Sequence, residues 1–260
     1  MARWIAALSL VALCLGAAAW ADDEDMPKPM TIGDLAPDID IAHWVKGVEL
    51  DRRGDFTPIT RFGDGKVYVL EFWATWCGPC VGGMPHLSEL QERHRDDGVT
   101  IIGVSDESLP KVVEFLFKED RRDGKLHNDR SHYVLTTDPD QSVKRDYFYA
   151  ADQTGIPTAF LIGRDGLVEW IGHPMRMDEP LAAVIAGTWD REAFKAEFEE
   201  AQAYKRMMRE ARPRLAKAAQ AEDWEAYVGV LDELLAMRPG DGRLLWTKFE
   251  TLLTKAEQPD

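Results

Sequence analysis

Residues 66–73 read Lys-Val-Tyr-Val-Leu-Glu-Phe-Trp, an apolar run rich in β-branched and aromatic side chains, and three residues further on comes Cys77-Gly78-Pro79-Cys80. The run suits a strand buried on both faces. Beyond the cysteines, Met84, Leu87, Leu90 and Gln91 recur at helical spacing. The cysteine pair therefore stands where a buried strand hands over to a helix. A strand buried on both faces requires a sheet covered on both, which points to an α/β fold. The remaining pattern up to about Gly187 agrees. Strands are expected at 99–104, weakly at 132–136, at 158–162 and at 167–171, the last two joined by the turn Arg164-Asp165-Gly166. Helices are expected at 111–117, 141–149 and 178–186. The combination predicts a mixed sheet with helices on both faces.

From Thr188 onward no strand signal remains. Phe194, Phe198, Ala201, Tyr204, Met208 and Ala211 form one helical stripe that Pro213 should stop or kink. Trp224, Tyr227, Leu231, Leu234 and Leu235 mark a second helix, and Leu244, Leu245, Phe249 and Leu252 a last one. The stretch around 223–241 resembles one helix and exit turn of a tetratricopeptide repeat, but at most one and a half repeats fit, and such stacks need about three. This extension is expected to pack on the rest of the chain or on a second copy.

The cysteines also fix a compartment. Residues 1–21 carry a single charge, Arg3, and end in Ala19-Trp20-Ala21, the pattern of a signal peptide, ahead of a polar leader at 22–30. Cleavage would remove Cys14 and leave Cys77 and Cys80 as the only pair; without cleavage the segment would anchor the chain in a membrane. The expected organisation is a signal at 1–21, a leader at 22–30, an α/β domain at 31–187 and a helical extension at 188–260. The expected location is periplasmic or secreted. A net charge of −15 argues against nucleic acid and against anionic lipid. One C-x-x-C without a second ligand pair makes a poor zinc site, and a disulfide closing so small a loop contributes little stability. No metal and no cofactor is expected; redox chemistry is.

The position gives each residue a part. Cys77 at a helix N-terminus meets unpaired N–H groups and the positive end of the dipole, which favour a thiolate, so it is the expected nucleophile and the more exposed cysteine. Cys80, one turn on, is the expected resolving thiol. Pro79 presets the first turn and Gly78 keeps the thiol accessible. Glu71 lies inside the buried strand, where a lone carboxylate is costly unless neutral or paired. Desolvation should raise its pKa and suit it as proton acceptor for Cys80. Trp73 is expected beneath the site and Trp76 on its substrate-facing surface, while His86, His94 and His173 read as surface or packing residues.

FWATWCGPC with Met84-Pro85-His86-Leu87, the approach Ile32-Gly33-Asp34-Leu35-Ala36-Pro37-Asp38, and GIPTAFLIGRDGLVEWIGHP together resemble the extracytoplasmic thioredoxin-like reductases of the TlpA/ResA type, within the wider redoxin and AhpC/TSA-like group. The likeness covers about 31–187. It implies a thioredoxin-like fold and a cis bond before Pro157, with Ile156 pairing an extended substrate. The implied partners are disulfide-containing exported proteins and a membrane electron donor. Many such relatives carry a basic residue after the second cysteine and a Glu two positions beyond; here stand Val81 and Gly83, with Gly82 between. The expected activity is thiol–disulfide oxidoreduction, most simply reduction of exported disulfides. Rival readings are an oxidase or isomerase, a peroxidase, whose P-x-x-x-[ST]-x-x-C context Cys77 lacks, and a protein that docks partners through its helical extension.

Overall fold

The structure is a computed structural model describing residues 29–48 and 53–255; the expected signal segment lies outside them. Six strands form one sheet: β1 (His43–Lys46), β2 (Val67–Trp73), β3 (Val99–Ser105), β4 (Val134–Thr137), β5 (Thr158–Ile162) and β6 (Val168–Gly172), in the order β1-β4-β3-β2-β5-β6. β2, β3 and β4 run parallel, and β1, β5 and β6 pair antiparallel to their neighbours. β2 is central and every one of its residues is buried, as an unbroken apolar run demands.

The two-residue period of β2 divides the core. Val67, Val69 and Trp73 face α1 (Gly78–Arg93), α2 (Leu109–Leu116) and α3 (Asp178–Ala186), where Met84, Leu87, Leu90, Val112, Leu116 and Leu181 close the layer. Tyr68, Leu70 and Phe72 face the other way, onto Ile32, Tyr147, Phe148 and Phe160. That second layer is shut by the N-terminal segment, a wide helical turn at Lys144–Tyr149 and the start of α4 (Arg191–Gln220), from which Phe194 and Phe198 pack inward.

Two expectations change. β1 has no counterpart in the sequence reading, and Pro213 neither stops α4 nor bounds it, since the helix runs thirty residues through it. Packing supplies what the proline removes: Ala211 and Ala218 are buried, with Ala211 against Val230 and Leu234 of α5 (Trp224–Met237). A last helix, α6 (Gly242–Thr254), follows a turn.

α4 is tied to the sheet by charge. Arg191 donates to both Glu169 oxygens of β6, at 2.7 and 2.5 Å, and to Asp165 at 2.8 Å. Further along, Gln202 donates to the Ala151 carbonyl at 3.0 Å and Arg209 binds Asp152. The Glu169 side chain is 9% exposed, so removing its partner strands a buried carboxylate. Arg191→Met is expected to lower unfolding stability by about 2 kcal/mol in denaturant titration; an unchanged midpoint would make the pair dispensable.

Candidate active site

α1 begins directly after Cys77, which is its N-cap. Cys77 Sγ accepts from the Cys80 backbone N–H at 3.2 Å, so the sulfur occupies the place where a capping oxygen normally sits. No acidic residue stands in the first turn of α1 to oppose a negative sulfur there. Pro79 occupies the first turn, where its missing N–H leaves no bond unmade. Cys77 and Cys80 are joined in a disulfide. The Ile156–Pro157 peptide bond is cis, and the Ile156 carbonyl oxygen lies 3.8 Å from Cys77 Sγ. A chain segment 79 residues away is thereby brought against the nucleophile position. Trp76, Gly78 and Pro79 are exposed around the pair, Trp76 at 71%, and Ile156 is half-buried.

One expectation is corrected. Cys77 is not the more exposed cysteine: at 4% it is as buried as Cys80 at 3%. In the oxidised state the bond to Cys80 holds its sulfur down, and the Ile156 carbonyl sits over it.

Glu71 lies in the central strand, on the α1-facing side with Val69 and Trp73, and is 1% exposed. Its strand partners are Gly103 in β3 and Ala159 in β5, the two smallest residues, so the carboxyl is flanked by backbone rather than bulk. Glu71 Oε2 has no hydrogen-bond partner among the described residues, and neither has Tyr133 Oη. Burial pushes the Glu71 carboxyl up to about 8. Burial first, and then the nearby Glu71 charge, push the Tyr133 hydroxyl well above its ordinary range. Gly103 is required where it stands: a Cβ would come 2.8 Å from Leu135 Cδ2 and 3.1 Å from Trp73 Nε1. Trp73 is buried, as expected of a residue beneath the site.

A residue the sequence reading missed holds the turn before Cys77. Glu107, just past β3, accepts from the Thr75 backbone N–H at 2.6 Å and from Thr75 Oγ1 at 2.9 Å, while Lys111 pairs with it at 2.6 Å. Burial opposes its charge, but these donors prevail and keep the carboxyl below its usual range. Of the two glycines in the second turn of α1, Gly83 is buried, with Met175 Sδ 3.7 Å from where a Cβ would stand, and Gly82 is exposed, with an Arg122 guanidinium nitrogen 3.5 Å away. Arg122 is itself held bidentately by Asp120, at 3.0 and 2.7 Å. His86 and His94 pair with Asp178 and Asp97, and His173 accepts from the Met175 N–H. A cleft of about 710 Å3 opens at the opposite end of the sheet, past Lys66, Val99 and Tyr133; its lining contains neither cysteine.

A disulfide across the first turn of a helix, fed by a central strand and faced by a cis-proline loop in a mixed sheet, defines a thiol–disulfide oxidoreductase of thioredoxin-like fold. The sequence profile of the AhpC/TSA family matches residues 32–171, more than half of the chain, and the protein belongs to that family. Protein FixW of Rhizobium leguminosarum is 24% identical over 226 residues, 82% of this chain and 94% of the relative. Thiol-disulfide oxidoreductase ResA of Oceanobacillus iheyensis is 30% identical over 45% of this chain, which spans 60% of that relative. Thiol:disulfide interchange protein HelX of Rhodobacter capsulatus is 30% identical over 55% of this chain and 76% of its own. Among solved structures, a thiol:disulfide interchange protein of the thioredoxin family from Chlorobium tepidum aligns at TM-score 0.41 and 23% identity, covering 59% of this chain and 97% of that one.

Proposed function

We propose that the protein reduces disulfides of exported proteins outside the cytoplasm, with Cys77 as nucleophile, Cys80 as resolving thiol and Glu71 as proton acceptor. The observation that carries the reading is Cys77 Sγ at the N-cap of α1, 3.8 Å from the Ile156 carbonyl. The Cys77 thiolate attacks one sulfur of a substrate disulfide, forming a mixed disulfide and releasing the other sulfur as thiolate. Cys80 passes its proton to Glu71 and attacks Cys77 Sγ; the bond to the substrate sulfur breaks, the substrate leaves as a thiolate that solvent protonates, and the Cys77–Cys80 disulfide remains. Two electrons move from the dithiol to the substrate, and a membrane-borne donor of the dithiol class returns them. Trp76, Gly78 and Pro79 offer the contact surface, and the Ile156-Pro157 loop pairs with an extended substrate segment. No step calls for a metal or a cofactor. The resemblance to TlpA/ResA-type proteins and the apolar segment at 1–21 support an extracytoplasmic place, with 31–187 as the redox domain and 188–260 as its helical extension.

Direction follows from what stabilises the reduced form. Cys77 has the helix N-terminus, but the cation over the next turn, Arg122, is already neutralised by Asp120. The Cys77 thiolate therefore gains only moderate help. The reduction potential is expected nearer thioredoxin's, about −270 mV, than that of the oxidant DsbA, about −120 mV. Equilibration with glutathione or dithiothreitol measures it. A value on the oxidising side of about −180 mV would turn the assignment to an oxidase or isomerase. A peroxidase reading is less favoured, because both cysteines are spent in one short disulfide.

A further inference from the structure

α6 packs on α5 through Leu244, Thr247, Lys248 and Thr251, and Lys248 pairs with Asp232 of α5. Its opposite face is apolar and open: Leu245 is 46% exposed, Trp246 64%, Phe249 53%, Leu252 41% and Leu253 55%. At 100° per residue the five fall within one stripe about 120° wide, the width with which a helix meets a packing partner. The sequence reading gives Leu245, Phe249 and Leu252, with Leu244, as the apolar residues of this helix, in an extension expected to pack on the rest of the chain or on a second copy. α5 occupies the inner side of α6, where Leu244 packs and Lys248 pairs, so among the described residues the stripe is left uncovered.

We infer that this face is the contact between two copies of the chain. The positions are symmetric about Phe249: Leu245 and Leu253 lie four residues to either side, Trp246 and Leu252 three. A two-fold axis at Phe249, relating antiparallel α6 helices, sets Phe249 against its copy. It also brings Leu245 and Trp246 level with Leu252 and Leu253 of the second copy. Every exposed apolar side chain of the stripe then meets another, which is the self-complementarity that an isologous interface requires. The two copies together would cover roughly 1,000 Å2 of apolar side chain, about the area at which a specific interface begins. Lys255 lies over the Trp224 ring of α5, 5.8 Å from its centroid and away from the stripe.

Sedimentation of the purified chain at tens of micromolar is expected to give twice the chain mass, and Phe249→Glu to halve it while leaving the rate of insulin disulfide reduction unchanged. Should Phe249→Glu fail to fold, Phe249→Cys serves instead. Treated with a short bismaleimide in the oxidised state, where Cys77 and Cys80 are protected, it should crosslink to a covalent dimer, and Arg243→Cys should do so far less. A monomeric wild-type chain at these concentrations, or a dimer that survives Phe249→Glu, overturns the inference. The first result would give the face to the chain's own N-terminal segment or to another protein.

Discussion

Cys77→Ser is expected to abolish disulfide reduction, by at least about 10^3-fold, because no second sulfur can make the first attack. Cys80→Ala should behave differently. Attack by Cys77 survives in it, release does not, and mixed disulfides through Cys77 accumulate in place of product. Non-reducing electrophoresis of cell extracts, followed by identification of the trapped chains, reads both outcomes and names the substrates. In the reduced wild-type protein Cys77 should alkylate much faster than Cys80, even though the two are equally buried when bonded. Reduction frees Cys77 Sγ beside exposed Gly78 and Pro79, whereas Cys80 remains on the inward side of the helix. Equal labelling rates would reverse this assignment of roles.

Glu71 carries the second large effect, on stability and on rate together. Its carboxyl titrates at about 8 in the folded chain against an ordinary 4.5. Between those values the folded state holds a proton that the unfolded state has lost, so stability is full below about pH 4.5. It falls as pH rises towards 8, by up to about 1.4 kcal/mol per pH unit. Glu71→Gln should flatten that slope, and Glu71→Leu should raise stability at pH 8 by about 2 kcal/mol or more. Both should slow release through Cys80, by about 10^2-fold, while leaving attack by Cys77 nearly intact. The limb of the rate profile near pH 8 should vanish and leave only the thiol's own ionisation. Denaturant titration across pH, together with single-turnover kinetics, tests the two halves separately. An unchanged rate profile would confine Glu71 to a structural part.

The elements that sequence announced are those whose burial is two-sided or strongly periodic. β2, β3, β5 and α3 lie within a residue of expectation, because Val67–Trp73 and Val99–Ser105 are covered from both faces and are almost wholly apolar, Glu71 being the charged exception. β1 escaped notice because it is four half-exposed residues, His-Trp-Val-Lys, joined to β4 across an irregular register. Of the two outcomes expected at Pro213, the stop does not occur, because the buried Ala211 and Ala218 hold α4 on either side of it. At the site, Cys77, Cys80 and Pro157 stand in motifs that can be read in order along the chain. Glu107 does not: its partner Thr75 lies 32 residues earlier, and only the parallel pairing of β2 with β3 brings them together. Its one local signal was an acidic residue just past the end of a buried strand, where parallel sheets gather functional groups.

The first residues of the outer strand β6 have outward backbone groups occupied by the chain itself. Val168 N–H donates to the Asp34 carbonyl, the Val168 carbonyl accepts from Gly33, and the Glu169 carbonyl accepts from Trp189 Nε1 at 3.0 Å. At the far side, β1 is short and bulged between Trp44 and Lys46. Among the described residues, both margins are thus blunted, the one by the chain's own bonds at the start of β6 and the other by the shortness and bulge of β1. The substrates proposed above, extended segments of exported proteins, are the kind of chain that seeds cross-β growth. With the start of β6 covered and β1 short and bulged, the loop beside the disulfide is the backbone surface proposed for such a client. That engagement ends when the mixed disulfide is released.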